Sequence, residues 1–254
     1  MNIVTDITKW LLVRKQLADK TIGFIPTMGH LHSGHISLCQ RAKQENDITV
    51  ASIFINPTQF NQTQDFVVYP RTLESDYALL SEQKVDYVFV PSVADIYADH
   101  YQVKVMETEL SQILEGEHRP GHFNGMLTVV LKLLNLIQAN RAYFGEKDYQ
   151  QLLLIQKMAK ALFLPVDIIA CPTIRAEDGL ALSSRNSRLS IELRAQAVAF
   201  PKILQQAENI GQAIEQLKQL NFKVDYVAEH WGRRLGAVWL DQVRLIDNIS
   251  IDEV

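Results

Sequence analysis

Residues 26–35 read Pro-Thr-Met-Gly-His-Leu-His-Ser-Gly-His, and their types and spacing suit chemistry at a polyphosphate ester. They follow an apolar run, Thr21-Ile22-Gly23-Phe24-Ile25, short enough for a buried strand. They precede Ile36-Ser37-Leu38-Cys39-Gln40-Arg41-Ala42, whose apolar spacing suits a helix. Gly29, Gly34 and the imidazoles of His32 and His35 therefore sit on a tight strand-to-helix turn. Glycine lets backbone approach a ligand closely, and a helix N-terminus offers N–H groups and a positive dipole end to phosphate. His32 and His35, three apart, face one side of the first helical turn. The competing readings are ordinary turn glycines and a two-histidine metal site. The metal reading lacks a third ligand nearby, and the only cysteines, Cys39 and Cys171, are far apart in sequence. Neither Gly-x-Gly-x-x-Gly nor the Walker lysine-serine ending occurs at this turn.

Three further clusters place polar groups just past apolar runs. In Phe54-Ile55-Asn56-Pro57-Thr58-Gln59-Phe60, Asn-Pro is a common turn opener, while the Gln59 amide can hold a carboxylate or hydroxyl without adding charge. In Tyr143-Phe144-Gly145-Glu146-Lys147-Asp148-Tyr149-Gln150-Gln151, Asp148 is placed to cap a helix, and Lys147 offers a compact cation to phosphate. Gln151, one turn into that helix, faces either the same cavity or solvent. In Leu182-Ser183-Ser184-Arg185-Asn186, hydroxyls followed by a guanidinium can grip phosphate oxygens, or form a solvated linker. Arg119-Pro120-Gly121-His122-Phe123-Asn124 precedes the most apolar helix candidate. It reads as a turn with an N-cap at Asn124, or as a positive flap with Arg119 toward phosphate.

The elements that must position these groups alternate. Strand candidates are 21–25, 48–55, 86–90, 141–144 and 166–170, and helix candidates are 7–18, 35–45, 72–83, 125–138 and 148–163. Such alternation predicts an α/β domain with a doubly wound parallel sheet covered on both faces, its ligands beyond the carboxyl ends of the strands. Near residue 174 the pattern changes. Helical segments at 191–206 and 209–219, then short runs at 224–227, 237–240 and 243–246, predict a smaller α+β C-terminal domain. The division is 1–173 for a nucleotide- and substrate-binding domain and 174–254 for a small lid domain, since closure would both complete the site and exclude water.

The chain has 254 residues, 47% hydrophobic and 21% charged, with a formal net charge of −4. The acidic balance argues against extended nucleic-acid binding, and the basic spots Arg185–Arg188 and Arg233–Arg234 suffice for one polyphosphate only. No apolar stretch reaches membrane-spanning length and the start lacks a leader pattern, so no membrane partner is expected. Two unpaired cysteines suit a reducing, cytoplasmic setting.

His32-Ser33-Gly34-His35 resembles the His-x-Gly-His signature of the nucleotidyltransferase superfamily. With the other clusters in this order, the chain resembles the pantothenate synthetase (pantoate–β-alanine ligase) family. The matching stretches are Pro26 to His35, Ser-Ile-Phe-x-Asn-Pro-x-Gln-Phe (52–60), Tyr-Pro-Arg-Thr (69–72), Arg-Pro-Gly-His-Phe (119–123), Phe-Gly-Glu-Lys-Asp-Tyr-Gln-Gln (144–151), Asp-Gly-Leu-Ala-Leu-Ser-Ser-Arg-Asn (178–186) and Arg-Leu-Ile-Asp-Asn (244–248). The resemblance implies a Rossmann-like domain, ATP as substrate with Mg2+, and a pantoyl-adenylate intermediate that β-alanine converts to pantothenate. It implies ATP contacts from Met28, Gly29, His30, Leu31, His32, Ser33, Gly34 and His35, from Gly145, Glu146, Lys147 and Asp148, and from Ile174, Leu182, Ser183, Ser184 and Arg185. His35, with His32, Lys147 and Arg185, would carry the chemistry by neutralising phosphate charge. Gln59 and Gln151 would hold pantoate, with Asn56 and Arg119 as lesser candidates, and Asp76 would be a magnesium contact. A homodimer is implied as well. The stretch 223–243 is shorter than usual for the family, which leaves the form of the small sheet open.

Rival readings are a nucleotidyltransferase that adenylates another small acid or a phosphorylated acceptor, a tRNA-charging enzyme, and a non-catalytic nucleotide-binding module. An acceptor phosphate would call for more cations than this chain offers beside Gln59 and Gln151. The acidic balance and the lack of an RNA-binding appendage disfavour tRNA. A binding module would need no paired glutamines.

Overall fold

A computed structural model describes residues 1–61 and 66–251, and its chain divides into two compact units. The first comprises Met1–Gly145 and Gln150–Cys171, and the second comprises Glu146–Tyr149 and Pro172–Val254.

Among the described residues the first unit holds six strands: β1 (Asn2–Val4), β2 (Ile22–Thr27), β3 (Ile48–Ile53), β4 (Tyr87–Phe89), β5 (Arg141–Gly145) and β6 (Asp167–Cys171). They form one parallel sheet in the order β1-β4-β3-β2-β5-β6. The β2–β3–β4 succession steps one way and β5–β6 the other. The topological switch therefore falls between β2 and β5, where a doubly wound sheet opens a crevice beyond its carboxyl ends. The strands are nearly continuous in apolar residues because both faces are covered. On one face Ile25, Ala51, Val88 and Tyr143 pack with Leu38, Cys39 and Ala42 of the helix Ser33–Glu45, and with Leu80 of the helix Leu73–Glu82. Elsewhere Trp10 of the helix Ile7–Gln16 is fully buried. Its ring meets Tyr87 and Phe89, and its indole N–H donates to the Leu136 carbonyl at 2.8 Å. Leu136 lies in the long apolar helix His122–Ile137.

Two capping expectations fail. The helix His122–Ile137 starts at Gly121, whose φ of +81° is left-handed, so Asn124 lies inside the first turn and is not its N-cap. The chain passes from β5 through the single turn Glu146–Asp148 directly into the helix Tyr149–Ala161, so Asp148 belongs to a continuous helical run and does not occupy a cap position.

The second unit carries strands β7 (Lys223–His230), β8 (Arg233–Leu240) and β9 (Val243–Ser250) in an antiparallel meander. The short runs read from the sequence are thus parts of eight-residue strands, the first two joined by Trp231-Gly232, both left-handed as a tight hairpin turn demands. Phe200, Leu204, Leu217 and Phe222 pack against Val227, Val238 and Leu245 of this sheet. The segment 191–206, expected as one helix, is two: Ile191–Ala197 and Ala199–Gln206. Pro201 explains the break, because it has no N–H to donate to the Ala197 carbonyl and its ring crowds that oxygen.

Candidate active site

β2 delivers Thr27 to its carboxyl end, and the chain turns sharply before the helix Ser33–Glu45. Gly29 (φ +78°) and His30 (φ +50°) are both left-handed. A Cβ at Gly29 would also lie 2.9 Å from an Asp76 oxygen and 3.2 Å from Ile53, so only glycine fits. His32 is the helix N-cap: its Nδ1 accepts the Gly34 N–H at 3.1 Å, while His35 Nδ1 accepts the His32 N–H at 3.3 Å. This reciprocal box uses imidazoles where Ser and Glu commonly serve. Because each Nδ1 is an acceptor, a neutral ring at either position carries its proton on Nε2. The two rings lie 4.2 Å apart between centroids. Gly34 makes this possible, since a Cβ there would sit 2.8 Å from the His32 ring.

Asp76 corrects an expectation. Its side chain is buried at 2% exposure, and it accepts the N–H groups of His30 (3.0 Å) and Leu31 (2.8 Å) and the Thr72 hydroxyl (3.2 Å). A carboxylate so engaged does not fit a magnesium ligand. No group of three or more His, Cys, Asp or Glu suited to a metal occurs among the described residues. Asp76 instead braces the histidine turn. The amides of His30 and Leu31 are thereby committed to Asp76, and that of Gly34 to His32.

After β3, Asn56 caps the short turn Pro57–Gln59. Asn56 is fully buried, and its Nδ2 donates to Gln59 Oε1 (3.1 Å) and to the Gly125 carbonyl (3.1 Å). Tyr97 donates its hydroxyl to Asn56 Oδ1 at 2.6 Å, and burial pushes that phenol up, so it stays a donor. Asn56 is therefore a support for Gln59. Gln59 Nε2 in turn donates to the Met28 sulfur at 2.8 Å, which joins this turn to the histidine turn. The helix His122–Ile137 presses directly on Thr58: a Cβ at Gly125 would lie 2.2 Å from the Thr58 carbonyl oxygen. His122, buried, bonds the Gln59 carbonyl through Nδ1 (2.7 Å) and Arg119 Nη1 through Nε2 (3.0 Å). Arg119 also lies 3.7 Å from Glu115. The link between Arg119 and Gln59 is one that sequence reasoning missed, although His122 stood in a matched stretch. Gln151 is half-buried in the first turn of its helix. Its neighbour Gln150 is buried and clamps Leu110, Ile113 and Glu115.

Within the second unit, Lys147 is 17% exposed, with its ammonium 3.9 Å from Asp148, beyond hydrogen-bond reach. Ile174 and Leu182 are joined by a backbone bond of 3.0 Å, and Ser183 accepts the Arg185 N–H at 3.3 Å at the start of the turn Ser184–Arg188. Glu146 receives Arg233 at 2.7 Å. So Met28 to His35, Asn56, Gln59 and Arg119 form a bonded or contiguous set in the first unit. Glu146, Lys147, Asp148, Ile174 and Leu182–Arg185 belong to the second.

Comparison with known proteins identifies the family. A family model described as pantoate-beta-alanine ligase matches residues 1–250. A pantothenate synthetase of Legionella pneumophila (strain Lens) is 49% identical over 249 residues, spanning 98% of this chain and 99% of the relative. One from Bdellovibrio bacteriovorus is 48% identical over 238 residues, 94% of each. The crystal structure of the pantoate-beta-alanine ligase of Francisella tularensis, complexed with beta-gamma ATP and beta-alanine, superposes with a TM-score of 0.96 at 43% identity, covering 100% of this chain and 99% of that one. The pantothenate synthetase of Thermus thermophilus gives 0.92 at 41% identity, covering 99% of each. Matched over nearly its whole length, the chain belongs to the pantoate–beta-alanine ligase family, the enzymes that form pantothenate.

Proposed function

We propose that the chain makes pantothenate in two steps. A pantoate carboxylate oxygen attacks the α-phosphorus of ATP, and the bond to the β-phosphate oxygen breaks to release pyrophosphate. The β-alanine amine then attacks the acyl carbon of pantoyl adenylate, AMP leaves, and the amine gives up a proton. The observation that carries this reading is the anchored imidazole pair of His32 and His35 on the turn after β2. Each ring is oriented by the bond its Nδ1 accepts, so a neutral ring carries its proton on Nε2, a donor type suited to charge that builds on phosphate oxygens. No protein nucleophile is required, since pantoate supplies one.

In this proposal residues 1–173 bind nucleotide and pantoate. Met28 to His35 and Gly145 meet ATP, Gln59 and Gln151 hold pantoate, and Arg119 lies behind Gln59 through His122. Glu146, Lys147 and Asp148, with Ile174, Leu182, Ser183, Ser184 and Arg185, add phosphate and nucleotide contacts. A lid role for 174–254 would shield the acyl adenylate from water. Magnesium enters on the ATP phosphates, a reading supported by the full engagement of Asp76 with backbone. A cytoplasmic setting is supported by two buried cysteines outside any disulfide, Cys39 and Cys171, with burial pushing the Cys39 thiol up to about 12. No helix among the described residues is long and apolar enough to cross a membrane. A homodimer is supported by the exposed side chains of Tyr101, Val103 and Met106 in one stretch.

The test is exchange of labelled pyrophosphate into ATP. It should require pantoate and proceed without β-alanine, because adenylation alone is reversible. Absence of exchange under conditions of net synthesis would refute the two-step route. The Gln59 assignment is checked separately: Gln59→Ala should raise the pantoate KM far more than the ATP KM, by a factor matching a buried partner lost at ~1–3 kcal/mol. Equal losses for both substrates would reassign Gln59 to general support of the turn.

A further inference from the structure

The motif Arg-Leu-Ile-Asp-Asn at 244–248 lies on β9, distant in sequence from every group assigned above, and its last residue is only 3% exposed. The Asn248 side chain is fully engaged. Its Nδ2 donates to two consecutive carbonyls, Glu146 (2.9 Å) and Lys147 (3.0 Å), and its Oδ1 accepts Arg233 Nη1 at 2.7 Å. Arg233 continues the circuit: its other terminal nitrogen meets the Glu146 carboxylate at 2.7 Å, and its guanidinium lies 4.3 Å from the Tyr149 ring centroid. The strand behind is itself pinned, since Arg175 grips both Asp247 oxygens and donates to the Asn248 carbonyl. Every atom in this circuit belongs to the second unit.

An asparagine used this way does more than fill space. Two N–H donors on successive carbonyls fix the peptide planes on both sides of the Lys147 Cα, and with them the direction in which the side chain leaves. The Lys147 ammonium stands 3.9 Å from the Asp148 carboxylate, too far for a hydrogen bond to fix it, so its aim depends on the backbone below it. We propose that Asn248 is a positioning residue for phosphate: it holds the Glu146–Lys147 turn so that the Lys147 ammonium meets the ATP phosphates without reordering. The inference rests on the reading of Lys147 as a phosphate ligand, and the experiment separates the two.

Asn248→Asp keeps the shape and the acceptor for Arg233 but turns an oxygen toward the two carbonyls. Arg233→Lys, at a more exposed position, keeps the charge and loses the bridge between Asn248 and Glu146. Each is measured alone and with Lys147→Ala, by pantoate-dependent pyrophosphate exchange and by thermal midpoint. Asn248→Asp should raise the ATP KM or slow adenylation about tenfold, as expected for lost charge-adjacent hydrogen bonds, with the pantoate KM unchanged. Arg233→Lys should show a smaller loss of the same kind. In the Lys147→Ala background neither should cost anything further, because both act through that ammonium. Losses that multiply with Lys147→Ala would overturn the inference and leave the Lys147 reading standing. So would a folded Asn248→Asp enzyme with full exchange activity. A fully active Lys147→Ala enzyme would overturn the Lys147 reading itself, and the inference with it. If Asn248→Asp does not fold, Arg233→Lys decides between the same outcomes.

Discussion

His35→Ala is expected to slow pantoyl adenylation by ~10²–10³, the usual consequence of removing one preorganised donor from a developing oxyanion. The same substitution should cost only about 1 kcal/mol in stability, the scale of a lost helix cap. The two effects have separate origins in one side chain. Nδ1 accepts the His32 N–H and belongs to the capping box, while Nε2 is the nitrogen that carries the proton in the neutral ring. His35→Asn separates them further. Its carbonyl can take over the capping bond, so the melting temperature should recover while the rate stays low. The measurement is single-turnover formation of the adenylate with saturating pantoate and ATP, beside a thermal melt. A His35→Ala enzyme with full adenylation rate would remove that imidazole from the mechanism.

How much of this is legible in the sequence depends on the range of the contacts involved. The doubly wound sheet is legible because strands covered on both faces are continuous apolar runs, and the helices between them keep their own spacing. β1 (Asn2–Val4) is not, since three residues at a sheet edge show no period, and their pairing with Tyr87–Phe89 is a tertiary fact. The split at Val198 is legible in principle from Pro201, but the apolar spacing across 191–206 masks it. In the site, residue types announce themselves where local motif and function coincide, as at His32-x-x-His35. Supporting roles do not. Nothing near Asn248 in sequence points to the carbonyls of Glu146 and Lys147, and nothing near Asp76 points to the amides of His30 and Leu31. Both are polar residues whose partners the fold alone supplies. The sequence therefore offers Asp76 only as a carboxylate in the helix after Tyr-Pro-Arg-Thr, and the magnesium contact is implied by the resemblance alone.

Asp76→Asn tests that correction and should have a large effect on both stability and rate. One carboxylate oxygen accepts the His30 N–H and the Thr72 hydroxyl, and the other accepts the Leu31 N–H. In asparagine one of these acceptors becomes an NH2, which sets donor against donor in a site that is 2% exposed. A buried amide left without its acceptor costs ~1–3 kcal/mol, so a clear fall in thermal midpoint follows. The turn above is also under conformational load, because His30 holds φ at +50° without being glycine. Such backbone costs on the order of 1–3 kcal/mol and persists only while its surroundings enforce it. Release of the brace should let His30 and Leu31 relax and carry His32 and His35 out of register, and a misplacement near ~1 Å typically costs ~10² in rate. Magnesium concentration separates the brace from the alternative. If Asp76 ligated the ion, excess magnesium would restore pyrophosphate exchange and the melting temperature would hardly change. If Asp76 is a brace, the rate deficit persists at every magnesium concentration and travels with the loss of stability. Recovery by magnesium in a protein of unaltered stability would return Asp76 to the metal.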